Sequence, residues 1–166
     1  MTLEKENTEI QKVLEKVTIL YAGDSGDGIQ LIGNQFTNNT ATTKAGALMV
    51  SGASTINIDN NIFYGNTVPS TSSGGAIAVE SSGVVTLAHS TIDSNSAGYG
   101  SAFTVNNASI SFDSSKVMRN ASQNSTAVVD SGGTTTVTAT IFYDNDQDID
   151  VNDTSSVTLD WVIIYE

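Results

Sequence analysis

An asparagine returns along this chain three places after an apolar residue: Asn39, Asn66, Asn95, Asn120 and Asn145 follow Phe36, Phe63, Ile92, Val117 and Phe142. Successive asparagines are 27, 29, 25 and 25 residues apart. A period of that length means one supersecondary unit stacked on copies of itself, a solenoid whose single units cannot bury their apolar faces alone.

Two further apolar pairs recur inside the period. Ile29 with Leu31, Ile56 with Ile58, Val85 with Leu87, Ile110 with Phe112, and Thr135 with Val137 each skip one residue, the period of a strand with one buried face. The second member always precedes the apolar residue of the asparagine motif by five positions, as Ile58 precedes Phe63. A third strand lies upstream: Leu48 with Val50, Ile77 with Val79, Phe103 with Val105, Val128 alone, and Ile149 with Val151. Three short strands per period predict a three-sided, right-handed parallel β-helix of five or six coils over residues 17–166. An asparagine inside each corner can donate to and accept from the next coil, so the five are expected to form an internal ladder.

Composition narrows the function. With 6 Lys and Arg against 18 Asp and Glu, and a formal net charge of −12, the chain lacks the basic surface that nucleic acid or an anionic membrane requires. No apolar run is long enough for a transmembrane helix. The absence of cysteine removes disulfides and thiolate metal sites, and the single histidine, His89, reads as a surface side chain.

Residues 1–16 differ from the rest of the chain. Leu3, Ile10, Leu14 and Val17 make an apolar stripe on a charged stretch, predicting an amphipathic helix that caps the open end of the stacked core. Residues 17–36, VTILYAGDSGDGIQLIGNQF, resemble the start of the alpha subunit of 2-oxoglutarate:ferredoxin oxidoreductases. That resemblance implies a strand, a phosphate or cofactor loop at Gly23, Asp24, Gly26, Asp27 and Gly28, then a helix. A fragment or fusion of that enzyme would explain it. The same residues also obey the repeat, since Ile29, Leu31 and Phe36 fall on its apolar positions.

The repeat carries its own resemblance. Gly74, Gly75, Ala76 and Ile77 spell GGAI, and FTNN, FYGN and FYDN begin at Phe36, Phe63 and Phe142. The alternation is similar to the passenger repeats of polymorphic outer membrane proteins and related bacterial surface β-helices of the pectin-lyase-like class. It implies a secreted or surface-displayed, adhesin-like rod with a glycan or protein ligand on a cell or matrix surface.

Pectin-lyase-like folds also host polysaccharide lyases and hydrolases, which need paired carboxylates or acidic ligands beside a basic residue. Asp59, Asp93, Asp113 and Asp144 stand near the corners of their coils, yet Lys116 and Arg119 serve only one coil, so catalysis is the lesser expectation. Asp144, Asp146, Asp148 and Asp150 supply oxygen ligands at alternating positions, and calcium is the one cofactor they could take. The glycine and the final glutamate of an EF-hand loop are missing there. Thr134, Thr135, Thr136, Thr138 and Thr140 resemble a water-ordering array confined to one coil. Tyr64 and Tyr143 stand beside inward phenylalanines and therefore point outward, and Tyr99 lies in a connection. These three tyrosines make the expected binding surface of a non-catalytic module. The final coil, ending in Trp161, Val162, Ile163, Ile164 and Tyr165, has no evident cap, and an end-to-end homodimer is one way to cover it.

Overall fold

The computed structural model describes residues 29–122, 127–151 and 154–165. The capping helix expected over residues 1–16 and the glycine-rich loop before Ile29 lie outside them. All regular structure among the described residues is strand.

The first coil contributes β1 (Ile29–Ile32) and β2 (Gln35–Thr37). The second holds β3 (Leu48–Ser51), β4 (Thr55–Asp59) and β5 (Ile62–Tyr64). The third holds β6 (Ile77–Glu80), β7 (Val84–Ala88), β8 (Thr91–Asp93) and the short β9 (Ser96–Ala97). The fourth repeats this with β10 (Phe103–Asn106), β11 (Ser109–Asp113), β12 (Lys116–Met118) and β13 (Ala121–Ser122). The fifth holds β14 (Val128–Ser131), β15 (Thr134–Thr138) and β16 (Ile141–Tyr143). The sixth holds β17 (Ile149–Val151), β18 (Ser156–Asp160) and β19 (Ile163–Tyr165). The segment Ile29–Thr37 is thus two strands, and the helix implied there by the oxidoreductase resemblance does not form. Alternation of Ile29, Leu31 and Phe36 with polar residues selects the strand, because it lets one face join the apolar column of the next coil.

Equivalent strands stack into three long parallel sheets, and β9 pairs with β13 in a fourth, two-stranded one. The first face orders β1-β4-β7-β11-β15-β18, the second β2-β5-β8-β12-β16-β19, and the third β3-β6-β10-β14-β17. Register is strict: Phe36 pairs with Phe63, Phe63 with Ile92, Ile92 with Val117, and Val117 with Phe142. Like residues therefore meet in columns, and the Phe36 and Phe63 rings stack with centroids 4.7 Å apart. Phe63, Val85, Leu87, Ile92, Phe103, Phe112, Val117 and Phe142 are wholly buried in one continuous core.

Two corners of each coil share one construction. After each first-face strand comes a residue with φ between 47° and 67° (Gly33, Asn60, His89, Ser114, Ala139, Trp161), and after the second-face strands likewise Asn38, Gly65, Ser94, Arg119 and Asp144. A left-handed residue turns the chain sharply, and the next side chain then points inward. At the second-face corner that side chain is the repeating asparagine. Asn95 Nδ2 donates to Asn120 Oδ1 at 2.9 Å and to Phe63 O at 3.1 Å, while its own Oδ1 accepts the backbone N–H and the Nδ2 of Asn66, each at 2.9 Å. The same bond links Asn39 to Asn66 at 2.8 Å and Asn120 to Asn145 at 3.1 Å.

The first-face corner carries a second ladder that the repeated letters do not reveal. Asn34 N–H donates to Asn61 Oδ1, Asn61 N–H to Ser90 Oγ, Ser90 N–H to Ser115 Oγ, and Ser115 N–H to Thr140 Oγ1. Each hydroxyl in turn donates to a carbonyl two residues back. One departure lies in the core itself: Asp130 occupies the inward position held by Val105 and Val151 on either side. It is 1% exposed, and its carboxylate accepts the Thr135 hydroxyl at 2.8 Å and the Gly133 N–H at 3.0 Å.

The two glycines of the GGAI motif differ in purpose. A Cβ on Gly75 would lie 2.1 Å from the Ser101 carbonyl oxygen, so the glycine is required by the close approach of the next coil. Gly74 has φ +75°.

Candidate binding face

The second face is built from strands of three residues, so each coil shows two side chains outward. Register aligns one outward column as Thr37, Tyr64, Asp93, Met118, Tyr143 and Tyr165. The other runs Gln35, Ile62, Thr91, Lys116, Ile141 and Ile163. Tyr64, Tyr143 and Tyr165 are 45%, 44% and 56% exposed, and the last two rings meet edge-on with centroids 6.4 Å apart. The structure thus brings Tyr64 and Tyr143 into one column and adds Tyr165. Tyr99 stands apart, exposed in the connection after β9 and bridged to Ser73.

Charge at the centre of this face is fixed. Arg119 donates from Nε to Asp93 Oδ1 at 3.0 Å and from an Nη to Asp93 Oδ2, and Ser94 Oγ donates to Asp93 Oδ1 at 2.8 Å. The hydrogen bond to Asp93 and that carboxylate's charge raise the guanidinium above its ordinary pKa, so Arg119 stays charged throughout the working range. The Lys116 side chain is exposed on the same coil, and its ammonium makes no ion pair among the described residues.

The remaining acids are dispersed. Asp59 and Asp113 lie in one outward column of the first face with Ala88 between them, whereas Asp93 belongs to the second face and Asp144 to its corner, so the four do not form one line. His89 Nδ1 lies 2.8 Å from Asp59 Oδ1, with both side chains at least half exposed. In the acidic run, Asp146 Oδ2 accepts the Ser122 N–H at 2.8 Å and Asp148 Oδ1 accepts Asn145 Nδ2 at 3.0 Å, while Asp150 is an exposed residue of β17. Among the described residues no three acids or histidines converge as metal ligands. Of the threonines in β15 and its turn, Thr135 and Thr140 are buried and bonded inside the coil. An open groove of about 520 Å³ runs along the turns between the third and first faces, past Asn107, Gly132, Gly133 and Thr154.

A profile of the right-handed beta helix region matches residues 6–164. The chain belongs to the right-handed β-helix family. No curated protein sequence matches this β-helix. Among solved structures it is similar to a protein from Parabacteroides merdae proposed to be a glycosyl hydrolase, at 15% identity and a TM-score of 0.48, covering 82% of this chain and 81% of that one. Among the described residues no helix is long and apolar enough to cross a membrane.

Proposed function

We propose that this β-helix is a non-catalytic binding module, displayed at a cell surface or secreted, that holds a glycan or protein ligand on its second face. The alignment of Tyr64, Tyr143 and Tyr165 in one outward column carries the reading. Single exposed aromatics are ordinary, but a column of them on a rigid sheet is a preformed contact surface. The stacked coils hold those side chains in place before any ligand arrives, so little backbone ordering opposes binding. The acidic surface suits a soluble protein in an open medium.

A polysaccharide-cleaving activity is the competing reading, and Asp59 with Asp113 favours it. They are two coils apart in one column, which places them ~9.6 Å apart at the backbone, near the upper end of the separation used by inverting glycosidases. The test applies the full chain and a Tyr64→Ala/Tyr143→Ala variant to glycan and protein arrays, with a reducing-end assay in parallel. Binding lost in the variant, with no new reducing ends, supports the module. Binding unaffected by the double substitution removes the second face as its seat, and reducing ends that vanish in Asp59→Asn or Asp113→Asn would establish the enzyme.

A further inference from the structure

We propose that the second face takes a neutral, flat-ribbon polysaccharide of β-1,4-linked pyranoses lying parallel to the solenoid axis. This rests on the second face being the ligand face, and it names the class of ligand.

Dimensions separate a glycan from a protein. A strip three residues wide and six coils long measures ~10 Å by ~24 Å, roughly 240 Å². A stable protein partner needs about 800 Å² on each side. A single sugar chain fits the strip along its length.

Spacing then selects the kind of chain. Outward side chains recur at ~4.8 Å from coil to coil, close to the advance of one sugar in an extended β-1,4-linked ribbon. Tyr64 and Tyr143 are three coils apart, and Tyr165 is one coil further. The Tyr64 and Tyr143 rings therefore fall beneath sugars n and n+3 of a straight chain, where ring faces can lie on the apolar C–H faces of the pyranoses, while Tyr165 meets Tyr143 edge-on and braces it at the end of the column. A coiled α-linked chain carries its sugars away from a straight column and meets one platform at most. Between the platforms, Thr91 and Lys116 share the neighbouring column and offer donors to sugar hydroxyls.

Charge selects against an acidic chain. The molecule carries −12, and on the described second face the Lys116 ammonium neutralises little of it along a ligand longer than the ~8 Å Debye length. Hydroxyls can accept from Lys116 without bringing further negative charge to the rod.

The experiment is isothermal titration of the full chain with cellohexaose, xylohexaose and chitohexaose, and with cellotriose, maltohexaose and hexagalacturonate as comparisons. At least one of the three β-1,4-linked hexamers is expected to bind. Cellotriose, too short to reach from Tyr64 to Tyr143, should bind roughly tenfold more weakly than cellohexaose wherever cellohexaose binds. Tyr64→Ala and Tyr143→Ala should each weaken the hexamer by roughly tenfold with an unchanged melting temperature, while Tyr99→Ala leaves affinity as it was. Maltohexaose or hexagalacturonate binding as tightly as the β-linked hexamers overturns the ribbon, as does an affinity independent of length. Should no hexamer bind while an arrayed ligand is still lost with Tyr64 and Tyr143, the ribbon fails and the second face remains the ligand face.

Discussion

Asn95 uses its whole side-chain amide: two donors and an oxygen that accepts twice, all bonded to the coils on either side. Asn95→Ala strands the Asn66 backbone N–H in a buried corner and leaves the Phe63 carbonyl one partner short, so it should cost about 3 kcal/mol. Urea unfolding should show the loss as a lower midpoint at an unchanged slope. Asn39→Ala, at the part-buried end of the ladder, should cost clearly less. Gly75→Ala tests a different constraint. Its methyl would collide with the Ser101 carbonyl of the next coil, and backbone cannot move aside as a flexible side chain can, so a loss of about 3 kcal/mol is expected. Asp130 and Thr135 are a buried bonded pair in positions that neighbouring coils fill with valine and isoleucine. Asp130→Val alone leaves the Thr135 hydroxyl buried without its partner. Combined with Thr135→Ile it removes that stranded hydroxyl and restores apolar contact, leaving only the Gly133 N–H without its acceptor, so the double variant should be more stable than Asp130→Val alone, and a double-mutant cycle measures the coupling.

Strands differ in how completely their neighbours enclose them. β7 and β11 pair on both sides and point wholly or almost wholly buried residues inward. β18 pairs on one side among the described residues, and its inward Leu159 is 50% exposed. Hydrogen exchange should therefore be slowest in β7 and β11 and fastest in β18, and uniform protection across the three would mean that the coils open only together. The same contrast explains what the sequence reveals. Phe63 and Asn66 recur as letters because one large apolar side chain and one bifunctional amide fit those slots, so strand positions, register and the solenoid could be read directly. The second ladder stays hidden because its slot needs only a short side chain with an acceptor, and Asn61, Ser90, Ser115 and Thr140 all meet it. Asp130 escapes notice for the converse reason: an inward strand position conceals an acid until its Thr135 partner is seen. Tyr64 and Tyr143 are legible as outward neighbours of inward phenylalanines. Tyr165 is not, because its coil has Ile164 in that place.

The whole molecule joins a strongly negative surface to an interior of mainly apolar columns, interrupted by the bonded Asp130. Of the three Lys and Arg residues among those described, Lys44 and Arg119 are already bonded to Glu80 and Asp93, which leaves Lys116 to face the surplus of acids. Self-repulsion of that surplus opposes the compact state, and it acts between exposed groups that salt screens. The core columns and the two ladders are buried and respond little to ionic strength. Raising sodium chloride from about 10 mM to about 150 mM shortens the Debye length from ~30 Å to ~8 Å, so the melting temperature should rise by a few degrees and then level off. A ligand fixed by tyrosine platforms should meanwhile keep its affinity, because stacking on neutral sugars involves no counterion release. Thermal unfolding and cellohexaose titration over one salt series would separate the two. A melting temperature that climbs while affinity stays constant supports a charged shell around a neutral binding strip, whereas affinity falling with salt would place the ligand's grip on Lys116 and Arg119 instead of the tyrosine column.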